Sequence, residues 1–302
     1  MKLSIIIISF NSLQLLRECL RSLFAEPVDF DSEVIVVDNA SSDGSTDMVR
    51  AEFPQVQLLE NSENVGFAAA NNIGAGRARG QLLLLLNSDA QLTMGAVKEL
   101  VAFMERQPAA GVSGPRLTYP DGAWQPNGLA FPTFWSWLAE VSGLTSQSSP
   151  KRLVPTPVDV VSGACMMVRR AAWEALGGFD DGFFFYWEDY DLCRRIWAHG
   201  WEVWYCPQAH IVHLAGGSST LVRSMTRDAA SESTLRYFRK HHSRCVLLAV
   251  LAVLVLREIM RMGQGMVSRR KTPRHNPFAQ LLSRFAAVQR LEAPHPKRGQ
   301  GE

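Results

Sequence analysis

The chain has 302 residues, with 31 Lys and Arg against 29 Asp and Glu, a formal net charge of +2. Hydrophobic residues make up 47% and charged residues 20%, which excludes a disordered chain, a coiled coil or a collagen and leaves one or two globular domains. The small total gives no ground for a nucleic-acid partner, yet it hides an asymmetry: from Arg257 to the end ten Lys and Arg stand against three Asp and Glu, a net +7, which leaves −5 on the first 256 residues.

Leu3 to Phe10 is a short β-branched run, the pattern of a buried parallel strand. It is too short for a secretory leader and has no small-residue cleavage site. Asn11, with Gln14 three residues on, reads as a capping box for a helix carrying Leu13, Leu16, Leu20, Leu23 and Phe24 at helical spacing. Glu33 to Val37 is a second strand, running into the polar turn from Asp38 to Ser45. Ser45 is expected to cap a helix that stops before Pro54. Val56–Leu59 is a third strand, Gly66–Gly80 a helix, Gln81–Leu86 a fourth strand ending in Asn87-Ser88-Asp89, and Thr93–Gln107 a further helix.

Strands alternating with helices predict an α/β fold: a Rossmann-like, mostly parallel sheet flanked by helices. Ligands of such sheets sit at the carboxyl ends of the strands. Asp38 and Asp89 both fall there. The middle, Gly114–Pro157, is rich in Pro, Gly, Ser and Trp and reads as irregular, with an excursion at Phe131–Leu144. Val158–Arg169 reads as a strand pair or a bent strand, Ala171–Leu176 as a short helix, Asp189–His199 as a helix after an aromatic and acidic loop, and Glu202–Tyr205 as a strand.

Several residues are candidates for chemistry. Asp38 ends a strand with its carboxylate toward the ligand crevice; Asp43 serves equally well as a turn or cap acid. Asp89, held at a strand end, suits Mg²⁺ or Mn²⁺, which want oxygen ligands and keep substrate phosphates as the others. Glu188, Asp189 and Asp191 sit among Phe183–Trp187; crowding and desolvation raise at least one of their pKa values, as suits a general base, while acids at a helix N-terminus also simply complement its dipole. Asp191, beside Arg194 and Arg195, reads as structural. His210 and His213 lie beyond the last strand, before Gly216-Gly217-Ser218-Ser219, where one could complete a metal site or bind phosphate through the loop. Gly74, Gly76 and Gly80 do not make a dinucleotide fingerprint, because they precede a strand instead of following one; they read as packing and helix-end glycines.

Taken in order, SIIIISFNS, VIVVDNASSDGS, ENVGFAAANNIG, LLLLNSDA, SGACMMVRRAAWEALGGFDDGFFFYWEDYDLCRRIWAHGW and HIVHLAGGSS resemble an inverting family 2 glycosyltransferase of the GT-A fold, in its bacterial rhamnosyltransferase-like branch. The resemblance covers roughly residues 1–240. It implies that Asp38 contacts the nucleotide base, that Asp43 lies in the same nucleotide-binding turn, and that Asn87-Ser88-Asp89 corresponds to the D-x-D motif with Asn87 replacing its first acid. It further implies that Asp189 is the catalytic base, with Glu188 the runner-up, and that His213 helps Asp89 hold a divalent metal. The donor would be a dTDP- or UDP-sugar, L-rhamnose by branch similarity. The acceptor would be a glycan or lipid-linked saccharide of cell-envelope polysaccharide synthesis. A nucleotide-sugar-binding protein without transfer activity and a nucleotidyltransferase are the alternatives.

Residues 241–302 read as a helical, basic extension, its last stretch, Pro294–Glu302, disordered. Cys245–Leu256 is apolar throughout but shorter than a membrane crossing, so it is either a core helix or an interfacial segment on anionic lipid. Five cysteines, an odd number without Cys-x-x-Cys spacing, point to a reducing compartment. The expected location is the cytoplasm, with peripheral attachment to the inner face of its membrane.

Overall fold

The computed structural model describes residues 1–145, 149, 151–214 and 223–267, with side chains of the last two helices given for 229–260. The chain divides into two compact units, Met1–Arg227 and Asp228–Glu302.

The first unit begins with strand β1 (Leu3–Ser9), helix α1 (Leu13–Phe24), β2 (Ser32–Asp38), α2 (Ser45–Glu52), β3 (Gln57–Glu60), α3 (Phe67–Arg77) and β4 (Leu82–Asn87). Short β5 (Ala90–Leu92) and helix α4 (Ala96–Arg106) follow. Then come β6 (Ala110–Thr118), β7 (Trp124–Gln125), α5 (Phe134–Val141), β8 (Thr156–Pro157), β9 (Cys165–Arg169), α6 (Arg170–Leu176), α7 (Glu188–Ala198) and β10 (Glu202–His213). All ten strands among the described residues form one sheet, in the order β3-β2-β1-β4-β9-β6-β10-β5, with β7 beside β6 and β8 beside β10. Strands β3, β2, β1, β4, β6 and β10 run one way; β9 and the three short strands oppose them. The mostly parallel sheet expected from the alternation is therefore present.

Residues 3–8 are apolar except Ser4, and all are buried, because both faces of β1 are covered. Ile5 and Ile7 join the core beneath α1, α2 and α4, with Val36, Leu84 and Leu100. Ile6 and Val37 face α3 on the other side, where Gly74 approaches so closely that an added Cβ would meet Ile6 Cγ2 at 2.5 Å. An added Cβ at Gly80 would strike the Ser4 backbone nitrogen. Both glycines thus serve packing, as expected.

Local expectations fail in four places. Asn11 does not cap α1: its backbone is left-handed, φ 47°, and its Oδ1 accepts from Ser42 N–H at 2.8 Å instead. The N-cap position is Ser12, and the exposed Leu13 N–H is satisfied from the next loop, by Asp43. Ser45 is likewise the first residue of α2 and not its cap, Gly44 taking that place at φ 87°. The stretch read as irregular from Gly114 contains the second half of β6, since glycine and proline in Gly114-Pro115 masked a strand buried in the middle of the sheet. Gly114 is needed there, because Val161 fills the space a Cβ would take. Finally, the strand read as Glu202–Tyr205 runs on to His213 through a bulge between Cys206 and His210, so His210 and His213 lie within β10. Gly216–Ser219 and Pro294–Glu302 lie outside the described residues.

In the chain of the second unit, Leu235, Tyr237 and Phe238 of α8 (Arg223–His241) are fully buried. Helix α9 spans Arg244–Val267. No described helix is long and apolar enough to cross a membrane.

Candidate active site

Three adjacent strands end together. Ser9 of β1 pairs with Asp38 of β2, and Ile8 with Asn87 of β4. One strand separates Asp38 from Asn87, roughly 10 Å at the usual strand spacing. The ends are tied by hydroxyls: Ser12 Oγ lies 3.1 Å from Ser9 Oγ and donates to Ser88 Oγ at 3.2 Å.

Asp38 is 2% exposed. Its Oδ2 accepts from Ser41 N–H at 2.7 Å, and its Oδ1 is buried without a donor. A buried carboxylate oxygen left open at a strand end is a place for a ligand N–H or O–H. Asp43 is occupied differently. Its Oδ2 accepts from Leu13 N–H at 2.8 Å, and its Oδ1 from Ser45 N–H at 3.0 Å and the Ser45 hydroxyl at 2.5 Å. Burial alone would raise its pKa, but these donors outweigh it and hold the carboxyl below the ordinary range. One acid thereby closes two helix N-termini and fixes the turn between them.

Beyond β4, Asp89 is 2% exposed and its Oδ1 lies 3.2 Å from His213 Nε2. The contact follows from the sheet, because β5 pairs with the end of β10 and sets Ala90 opposite His213. Gln125 of β7 completes the arrangement, its Oε1 3.1 Å from His213 Nδ1. A carbonyl oxygen only accepts, so this contact places a hydrogen on Nδ1 and turns the Nε2 edge of the ring toward Asp89. Asn87 Nδ2 lies 3.5 Å from the same Nε2, and Asn87 Oδ1 is buried with no partner.

A carboxylate oxygen and an imidazole nitrogen this close could share a cation. Asp89 Oδ1 and His213 Nε2, with Asn87 beside them, are the residues that could take a divalent ion, leaving other positions to ligand oxygens. Among the described residues no three His, Cys, Asp or Glu cluster closely enough to hold a metal by themselves. His210 stands apart: its Nε2 meets Thr118 Oγ1 at 2.9 Å, and burial, then Arg116, pushes its imidazole pKa down.

Glu188 and Asp189 open α7 after a strained approach. Tyr186 and Trp187 both hold left-handed backbones, φ 69° and 72°, which non-glycine residues adopt at a cost. The aromatic loop before them is docked on α3: Phe67 N–H donates to Phe184 O at 2.8 Å, and Asn72 exchanges two hydrogen bonds with the Phe179 backbone, at 2.9 and 3.0 Å. Asp189 is half-buried. Its Oδ2 accepts from Gly163 N–H at 3.0 Å and its Oδ1 from its neighbour Tyr190 N–H at 2.8 Å. Glu188 is 6% exposed, and its Oε2 is buried without a partner.

Burial, then the charge of Asp189, drives the Glu188 carboxyl well above its ordinary pKa. Burial also raises Asp189, but the two N–H donors favour its anion. In this coupled pair burial and the neighbouring charge push Glu188 up further than Asp189. Asp191 is spent structurally, its Oδ2 2.7 Å from Arg195 Nε, as its neighbourhood foretold.

The acid pair and the Asp89 corner are linked through one segment. Gly163 N–H reaches Asp189, and the next residue, Ala164, accepts from Asn87 N–H at 3.0 Å. Asn127 holds this segment, its Oδ1 accepting from Ser162 N–H at 2.8 Å. Gln125 and Asn127 carried no sequence signal, since both lie in the stretch read as irregular. Gly163 lies in a segment that carries the family resemblance, but it was given no role there.

A family model described as glycosyl transferase family 2 matches residues 4–177. The N-acetylglucosaminyl-diphospho-decaprenol L-rhamnosyltransferase of Mycobacterium tuberculosis is 30% identical over 238 residues, 70% of this chain and 75% of that protein. Rhamnosyltransferase WbbL of Escherichia coli is 33% identical over 32% of this chain and 38% of its own length. In fold, the chain is similar to residues 1–349 of S. aureus TarS, with a TM-score of 0.56 at 16% identity, covering 99% of this chain and 76% of that one. It is equally similar to the mannosyltransferase PcManGT of Pyrobaculum calidifontis, solved with GDP-Man and Mn²⁺, with a TM-score of 0.56 at 16% identity over 97% and 88% of the two chains. The architecture is thus GT-A, and the chain belongs to glycosyltransferase family 2.

Proposed function

We propose that this glycosyltransferase moves a sugar, with inversion, from a nucleoside-diphosphate donor to a hydroxyl of a glycan or lipid-linked saccharide. L-Rhamnose from dTDP-rhamnose is the first donor to test, UDP-sugars the next; the names of the M. tuberculosis and E. coli relatives support rhamnose. The M. tuberculosis relative's name likewise supports a diphosphate-linked lipid saccharide as acceptor. Such an acceptor would be met at an anionic membrane surface on the cytoplasmic side.

One observation carries the reading: Gly163-Ala164 bonds Asp189 on one side and Asn87 on the other. A proton acceptor and a cation corner therefore share one mouth of the sheet. Asp38 offers its open oxygen to the nucleotide base, and Asp43 holds the turn beside it. Asp89 and His213, with Asn87 beside them, would hold Mg²⁺ or Mn²⁺. The bound ion would offset charge on the departing phosphates.

Asp189 takes the proton of the acceptor hydroxyl while Gly163 N–H keeps its carboxylate aimed. The acceptor oxygen attacks the anomeric carbon from the face opposite the diphosphate, the bond from that carbon to the phosphate oxygen breaks, and nucleoside diphosphate leaves. The raised pKa of Glu188 opposes a second negative charge beside Asp189.

Asp189→Asn is expected to cut turnover by at least about 100-fold while donor affinity stays within a few-fold. Nucleoside diphosphate release and calorimetric donor binding measure the two. Normal turnover would overturn the assignment. A panel of dTDP-, UDP- and GDP-sugars, run with chelator and then with Mg²⁺ or Mn²⁺ restored, identifies the donor and tests the ion. Pyrophosphate as product would favour a nucleotidyltransferase instead.

A further inference from the structure

Helix α9 has two apolar faces where a solvated helix has one. Leu247, Val250 and Leu254 are buried. On the opposite side Cys245, Leu248, Ala252, Leu256 and Ile259 recur every three or four residues and so form a single stripe. Leu248 is 57% exposed, Leu256 56%, Ile259 48% and the adjoining Met260 54%. No charged or polar residue interrupts the stripe, and continuous apolar surface of this kind marks an interaction site. We propose that this face of α9 lies flat on an anionic lipid surface.

Length sets the orientation. From Cys245 to Met260 the stripe runs about 24 Å, short of the roughly 30 Å of a bilayer core. No described helix is long and apolar enough to cross. A helix with an exposed apolar face that cannot span lies in the interface.

Charge selects the partner. Exposed Arg244 stands just before the stripe, while exposed Arg257 lies at least about 100° around the helix from it. A parallel pair of copies joined by this face would set each Arg244 against its counterpart, like charge against like, whereas anionic headgroups neutralise it. After Arg257 the sequence adds Arg261, Arg269, Arg270, Lys271 and Arg274 and has no acid between Glu258 and Glu292. The inference deepens the proposed function by saying how the enzyme meets a lipid-linked acceptor, but it uses none of the catalytic residues.

Flotation of the full chain with vesicles tests it, using phosphatidylcholine alone and phosphatidylcholine mixed with phosphatidylglycerol. Wild type should float with the mixed vesicles, less so as salt rises, and not with the neutral ones. The double variant Leu248→Asp/Leu256→Asp, at exposed positions, should lose at least about tenfold in partitioning. Its circular dichroism and its nucleoside diphosphate release on a water-soluble acceptor should match wild type. Arg244→Glu/Arg257→Glu should weaken binding to the anionic vesicles. Three outcomes would overturn the proposal: no flotation at low salt, flotation that survives the Asp substitutions, or a dimer in sedimentation that those substitutions dissolve without any vesicle binding. If flotation behaves as expected while no sample releases nucleoside diphosphate, the catalytic reading fails and the docking face stands.

Discussion

His213 shows how one side chain is given its role by others. Its Nδ1 meets Gln125, so its Nε2 is turned toward Asp89 and Asn87. Gln125→Ala is expected to weaken Mn²⁺ binding about 10- to 100-fold, read by electron paramagnetic resonance, while Gln125→Glu, which keeps an acceptor on Nδ1, retains most of it. Equal loss in both variants would show that Gln125 only packs. Glu188 makes a prediction about pH. Its folded-state pKa lies above the ordinary 4.5, so the folded state binds its proton more tightly than the unfolded chain does. The stability tied to that proton is present below about pH 4.5 and is lost as pH rises toward and through the raised value. Glu188→Gln should therefore gain stability over wild type as pH increases above that range, and the gain should vanish in acid. Denaturant melts across pH measure it. Asp38 and Asp89 could be picked out at this scale from the sequence, since each ends an apolar run. Gln125 could not, because nothing in a two-residue strand announces a contact with a residue 88 positions away.

At the scale of elements, the N-terminal half reads almost directly from the sequence. Runs such as Ile5–Ile8 and Leu82–Leu86 are apolar because both faces are covered, and that pattern survives in one dimension. The helix ends do not. Asn11 and Ser45 have the composition of caps, yet Asp43 supplies the acceptor for both Leu13 and Ser45 N–H, a choice made by two loops meeting in space. Central β6 was concealed by Gly114 and Pro115, and the tertiary fold needs the glycine for close approach to Val161. The aromatic loop before α7 depends on a similar fit. Gly66 has φ +87°, and a Cβ there would come within 2.6 Å of Phe184 O. Gly66→Ala should cost about 1–3 kcal/mol in stability and, by moving the loop that carries Asp189, cut turnover more than donor binding. A denaturant melt and steady-state kinetics check both; unchanged kinetics would show that the loop reaches its position without α3.

Across the whole molecule, the thiols divide sharply. Cys19, Cys165, Cys193 and Cys206 are buried and free, and Cys245 is free and exposed. Burial pushes the thiols of Cys19, Cys165 and Cys193 far up in pKa, with lesser help for Cys19 from Asp89, and raises that of Cys206 as well. Ellman's reagent should titrate one thiol rapidly in the native protein and the rest only on unfolding. Rapid reaction of several would mean an open core. Anionic vesicles should slow that one thiol, because Cys245 lies in the lipid-facing stripe of α9.

The sequence by itself determined the α/β alternation, the positions of Asp38, Asp89, Glu188 and Asp189 relative to their strands and helix, and the split between an acidic body and a basic tail. These depend on local periodicity and on charge, which linear order preserves. Only the tertiary structure decided that His213 faces Asp89, that Gln125 fixes its ring, and that Gly163-Ala164 joins the acid pair to the Asn87 corner. Strand pairing brings together residues scores of positions apart, and no local pattern encodes which neighbours a strand end will meet.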